Sequence, residues 1–158
     1  MEFQPGTSLF PPSVKRIAWF EENYRVKLPG DYVELLRVGN GAIPLTNVFD
    51  QGDKQRLIER MLCLLESPRT DQTNGWADIT IVITQLNSRL IDDEELVGMN
   101  VIPFAVLFGG DFLCLDYRAD ARAPGIAVWQ HEQSDEFQPY LETVATSFSR
   151  FDGMLRRS

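Results

Sequence analysis

Apolar positions recur along this chain in two rhythms, one helical and one strand-like, and their order predicts the architecture. In SVKRIAWFEENY, Ile17, Phe20 and Tyr24 step by three and four residues, so one face of a first helix is apolar. Ser13 stands before it as an N-cap. LPGDYVELLRVGNG repeats the spacing through Tyr32, Leu35 and Leu36. Pro29 suits a first helical turn, and Asp31 and Glu34 favour the positive end of the helix dipole. Gly39 or the pair Asn40-Gly41 supplies the left-handed residue that ends such a helix. In DKQRLIERMLCLLES, Leu57, Ile58, Met61, Leu62 and Leu65 form one broad stripe, which predicts a third helix stopping before Pro68. RTDQTNG, residues 69–75, reads as a polar loop. ITIVITQLNSRLI carries both rhythms: Ile79, Ile81 and Ile83 alternate as in a strand, the later residues suit a helix, and a helix from about Asp78 is expected. Asp92, Asp93, Glu94 and Glu95 follow and must be solvated, because adjacent carboxylates are not buried unpaired.

The strand rhythm then takes over. NVIPFAVLF and DFLCLDYR are apolar runs joined by Gly109-Gly110, a good hairpin connection, and GIAVWQHE supplies a third strand. On the middle strand Leu113, Leu115 and Tyr117 face one side, and Phe112, Cys114 and Asp116 the other. In FQPYLETVATSFSRFDGMLRR, the residues Phe137, Leu141, Val144, Phe148, Phe151 and Leu155 return to helical steps. They predict one long terminal helix from about Pro139, with Arg156 and Arg157 at its negative end. The sum is an α+β fold, an antiparallel meander flanked by helices packed mainly on one face.

With 158 residues, 44% of them apolar, the chain reads as one domain over 1–158, with residues 1–12 as an N-terminal arm. At this length folding buries roughly 70% of the unfolded surface, so the core needs no staples. Cys63 and Cys114 share no metal-type spacing and read as free thiols of a reducing cytoplasm. The first residues lack the basic and apolar regions of a secretory signal, and no run of about 18 apolar residues offers a membrane span. The net charge is −8, and its distribution changes the picture. Residues 89–142 hold eleven acids against Arg89, Arg118 and Arg122, while the remainder is neutral. Such a chain repels nucleic acid and speeds encounter with a basic protein, although the same charge also serves solubility.

Material for catalysis is thin. Asp111, Asp116, His131 and Glu132 fall in the β region and suggest a metal or acid–base cluster. Against this, the chain has a single histidine, Asp111 sits at a turn, and Asp116 has Arg118 within reach. No G-x-S-x-G elbow surrounds Ser147 or Ser149, and Cys114 lies in an apolar run without a basic neighbour. No Lys-Ser/Thr follows Gly109-Gly110 to make a phosphate loop, so no cofactor is expected. Trp19, Trp76 and Trp129 remain. An exposed tryptophan beside acids makes an interface anchor, and Trp129, ahead of His131 and Glu132, is the preferred candidate.

IAWFEENYRVKLPGDYVELLRVGNGA resembles the signature of the SUKH superfamily, the Smi/Knr-type domains. The resemblance runs through Phe20-Glu21, Leu28-Pro29, Asp31-Tyr32 and Asn40-Gly41. IPFAVLFGGDFLCLDYR with IAVWQHE is similar to the family's second block, although the turn Gly109-Gly110-Asp111 is shorter than is common there. VATSFSRFDGML is similar to its closing helix through Ser147, Phe148 and Phe151. The blocks span about residues 14–155, and residues 50–98 match least. The resemblance implies an α+β fold without catalytic residues and a bacterial immunity protein that neutralises a toxin domain in the cytoplasm. The partner would then be a basic toxin domain, faced by Asp92, Asp93, Glu94, Glu95, Asp111, Asp116, Trp129 and Glu132. Two other readings stand beside it: an adaptor with an endogenous protein partner, and a metal-dependent hydrolase using Asp111, Asp116 and His131.

Overall fold

In the computed structural model, which describes residues 1–158, the first two helical stripes become α1 (Val14–Tyr24) and α2 (Gly30–Gly39). Ser13 Oγ accepts the Arg16 N–H, so the expected cap is in place. Helix α1 ends at Arg25, left-handed at φ 58°. The motif pair then divides its work. Phe20 is inaccessible in the core, while the Glu21 carboxylate accepts the Leu28 N–H at 2.7 Å and so closes the RVKL link onto α2. Pro29 immediately precedes α2, and Asp31 Oδ1 accepts the Tyr32 N–H.

Asn40 is more than a helix stop. Its fully buried amide donates to Phe10 O at 2.8 Å and Leu64 O at 3.2 Å and accepts the Leu64 N–H at 2.9 Å, tying the arm, α2 and the central chain together. The left-handed residue is Gly41, at φ 67°, where a Cβ would come within 3.0 Å of Cys63 Cβ.

The predicted third helix is instead the second half of a hairpin. Strand β1 (Thr46–Gln51) pairs with β2 (Lys54–Met61), and β2 continues into Leu62–Leu64 beneath the helices. The register of β2 against its next neighbour shifts between Ile58 and Arg60. That bulge returns Ile58 and Met61 to the same face three residues apart, which is the spacing of a helix. After a loop, α3 (Ile79–Leu86) begins at Asp78, whose side chain caps the helix by accepting the Thr80 N–H at 2.8 Å. The expected meander follows as β3 (Val101–Leu107), β4 (Phe112–Asp116) and β5 (Gly125–Trp129). Gly109 and Gly110, at φ 100° and 94°, make the β3–β4 turn.

The long terminal helix is also corrected. Residues 141–145 form β6 (Leu141–Ala145), and only Phe148–Met154 is helical, as α4, capped by Ser147. A two-residue strand, β7 (Arg156–Arg157), ends the chain. The β5–β6 register shifts between Ile126 and Ala127, which leaves Val144 without a partner and breaks the strand alternation.

All seven strands form one antiparallel sheet in the order β6-β5-β4-β3-β2-β1-β7. It curls until Gln51 of β1 donates to Glu142 of β6 at 2.9 Å. On one face Tyr32, Phe49, Phe104, Phe148 and Phe151 pack edge to face with ring centroids no more than 6.2 Å apart. On the other, the turn after α3 covers Trp129, so Leu113, Cys114 and Leu115 of β4 are inaccessible from both sides.

Candidate interaction surface

In a meander, alternate connections lie at alternate ends of the sheet, and this separates the acids that the sequence grouped. The β3–β4 turn brings Asp111 beside the residues that follow β5. Its Oδ1 accepts the His131 N–H at 3.0 Å and meets His131 Nδ1 at 2.6 Å, and its Oδ2 pairs with Arg56 at 2.8 Å. Arg56 in turn donates to Gln51 at 2.7 Å. Burial pushes the Asp111 carboxyl up, but the hydrogen bonds from His131 and Arg56 outweigh it and hold the group below its ordinary value. Asp111 is therefore a joint between β1, β2 and two turns, with only 15% of its side chain exposed.

Asp116 lies at the far end of β4, about 17 Å along the strand from Asp111 at the usual rise per residue. It forms a two-point ion pair with Arg118, both contacts at 3.0 Å. Asp111, Asp116 and His131 thus do not converge, and no group of three His, Cys, Asp or Glu side chains is placed to hold a metal ion. Of the proposed cluster Asp111 touches the imidazole at Nδ1, and Glu132, almost wholly exposed, lies 4.0 Å from Nε2. The thiols are equally inert: burial, reinforced by the charge of Asp78, pushes Cys63 up to about 12, and burial raises Cys114 well above its ordinary value.

Trp129 cannot anchor a partner. It is inaccessible, with Nε1 donating to Arg89 O at 2.9 Å and the Arg89 guanidinium 5.0 Å above its ring. Trp76 and Trp19 are the exposed tryptophans, at 53% and 43%, and of the two Trp19 lines two depressions, one shared with Glu22. Its ring is already ordered. Arg16 stacks 4.3 Å above it, and Tyr24 meets it edge-on at 6.3 Å. Arg16 is itself held by Leu65 O at 2.7 Å. Two open depressions flank the ring. One, of about 640 Å³, is shared with Glu22, Asn23 and Val97. The other, of about 410 Å³, is shared with Ser67, Thr70 and Thr84.

The run Asp92–Glu95 ends two residues before Val97 in the chain. All four are exposed and none forms an ion pair. Asp92 acts on Arg118: after the hydrogen bonds that Arg118 donates to Asp116, the charge of Asp92 helps raise Arg118 above the ordinary guanidinium value. Sequence periodicity held a signal for Trp19. The residue lies off the Ile17–Phe20–Tyr24 stripe, on the solvent side of α1, where a tryptophan needs another explanation than the core.

The SUKH_6 family, described as SMI1-KNR4 cell-wall, matches this chain over residues 15–151. No curated protein and no solved structure matches it. No helix is long and apolar enough to cross a membrane.

Proposed function

From the premise that the chain belongs to the SUKH_6 family, we propose that it is a non-catalytic protein-binding domain, a bacterial immunity protein that neutralises a toxin domain in the cytoplasm by covering it. The observation that carries this reading is the pre-ordered, half-exposed Trp19 between two depressions, one of them lined by Glu22, in a chain whose exposed run Asp92–Glu95 forms no ion pair. An ordered aromatic loses little side-chain entropy on docking, so more of its burial appears as affinity. The acids add long-range attraction for a basic surface and accelerate encounter. A toxin that acts on nucleic acid has a basic active site, which this surface would occlude.

The test is to mix the protein with the product of the neighbouring toxin-like gene and follow complex formation and toxin activity. A one-to-one inhibitory complex is expected, forming more slowly as salt rises. Trp19→Ala should weaken it by about 30-fold, the loss of roughly 2 kcal/mol typical of an interface anchor. Capture of a housekeeping protein in place of the toxin would support the adaptor reading. A toxin complex indifferent to both Trp19→Ala and neutralisation of residues 92–95 would remove this surface from the mechanism.

A further inference from the structure

A larger groove lies on the other side of the Ser67–Thr70 ridge from Trp19. It encloses about 980 Å³, at the upper end of the range of small-ligand sites. Its lining is of two kinds. The arm and the end of the β2 extension contribute apolar side chains, Leu9, Phe10, Leu64 and Leu65. The loop that follows contributes Ser67, Thr70, Gln72 and Asn74, hydroxyls and amides that can bond a peptide backbone. Phe10 is 94% exposed, more than any other large apolar residue of the chain, and Val38 is adjacent through the bond from Ser8 Oγ to Val38 O.

The charges in the groove are all of one sign. Glu66 and Asp71 line it, and no lysine or arginine does. The Ser13 N–H holds Glu66 below its ordinary carboxyl range, so it is ionised. Asp71 accepts Thr73 and Asn74 N–H groups through Oδ1 alone, which leaves Oδ2 open to an outside cation. A second copy of this chain would bring these acids against their own equivalents. No histidine or cysteine lines the space, and its two carboxylates are not part of a group of three placed to hold a metal ion.

We propose that this groove docks an extended, basic–apolar segment of a partner protein, with apolar side chains against Leu9, Phe10 and Leu65 and a lysine or arginine between Glu66 and Asp71. The proposal rests on the reading of the chain as a protein-binding domain and adds a second contact to it. Because Ser67 and Thr70 line both this groove and the depression beside Trp19, one partner can occupy the two together.

The experiment uses the full-length protein and a fluorescein-labelled octapeptide alternating leucine with lysine, beside its leucine–glutamate counterpart, read by anisotropy in about 0.15 M salt. Saturable binding of the lysine peptide alone is expected. The pair Glu66→Gln and Asp71→Asn should weaken it at least tenfold, and Phe10→Ser severalfold. Phe10 is so exposed that its variant keeps the fold, whereas Glu66 holds the arm, so circular dichroism accompanies the acid pair. Absence of saturable binding, equal binding of the glutamate peptide, or indifference to both variants would overturn the proposal. So would a concentration-dependent dimer abolished by Phe10→Ser, which would make a second copy the occupant. The peptide assay needs no toxin. A toxin complex unaffected by these substitutions removes the groove alone, and peptide binding without a toxin complex removes the immunity reading alone.

Discussion

Two tryptophans in this protein share a chemistry and have opposite circumstances. Trp129 and Trp19 each carry an arginine on the ring face, at 5.0 Å and 4.3 Å, and each lies near acids. Around Trp129 everything is used internally: the indole N–H has its carbonyl, and neighbouring Asp111 spends its charge on Arg56 and His131. Around Trp19 the ring is half open, and the exposed carboxylates of Asp92–Glu95, which precede Val97 of its depression in the chain, form no ion pair. The same residue types therefore build structure at one place and leave unspent binding capacity at the other. What separates them is whether the fold supplies partners.

The comparison can be broken by substitution, beginning where the effect is largest. Trp129→Ala should destabilise the protein by about 3–5 kcal/mol, the cost of emptying a buried aromatic site, read as a fall in chemical-denaturation midpoint. Asp111→Asn should cost about 2–3 kcal/mol at neutral pH, because Arg56 keeps its burial and loses its counter-charge. Its pH dependence is specific. The folded carboxyl sits below its unfolded value, so its contribution is complete above about pH 4 and is lost as acid protonates the folded group. The gap between wild type and Asp111→Asn should therefore narrow on acidification in parallel melts, and a constant gap would show that the charge is not what matters. Trp19→Ala should cost under about 1 kcal/mol of stability, since the ring stays half solvated, while weakening the partner complex. Replacing residues 92–95 by their amides should move the melting midpoint least, within about 0.5 kcal/mol, and show its effect in association rate. A large loss of stability in either surface variant would erase the distinction.

Much of the fold was legible. The stripes of α1 and α2, the start of α3 near Asp78 and the β3–β5 meander follow from spacing and turn chemistry alone. Both misread segments, 53–67 and 137–155, fail for one reason. A β-bulge inserts one residue, so apolar side chains two pleats apart become three residues apart. Ile58 with Met61 then imitates a helical step, in β6 the extra Val144 breaks the alternation, and neither is visible without the neighbouring strand that defines the register. The candidate site was legible only in kind. The preferred anchor, Trp129, is buried, because burial of a strand residue depends on what crosses above it. The turn after α3, distant in sequence, is what crosses there.

Sequence by itself determined the parts that local chemistry dictates: which segments are capped, where glycine must turn the chain, where the negative charge lies, and the family motifs that carry these features. Only the tertiary structure decided which acids are tied and which tryptophans are open. Those properties belong to pairs of residues as far apart as Arg56 and Asp111, and a pairing of that kind exists only once the sheet has curled and brought the two together.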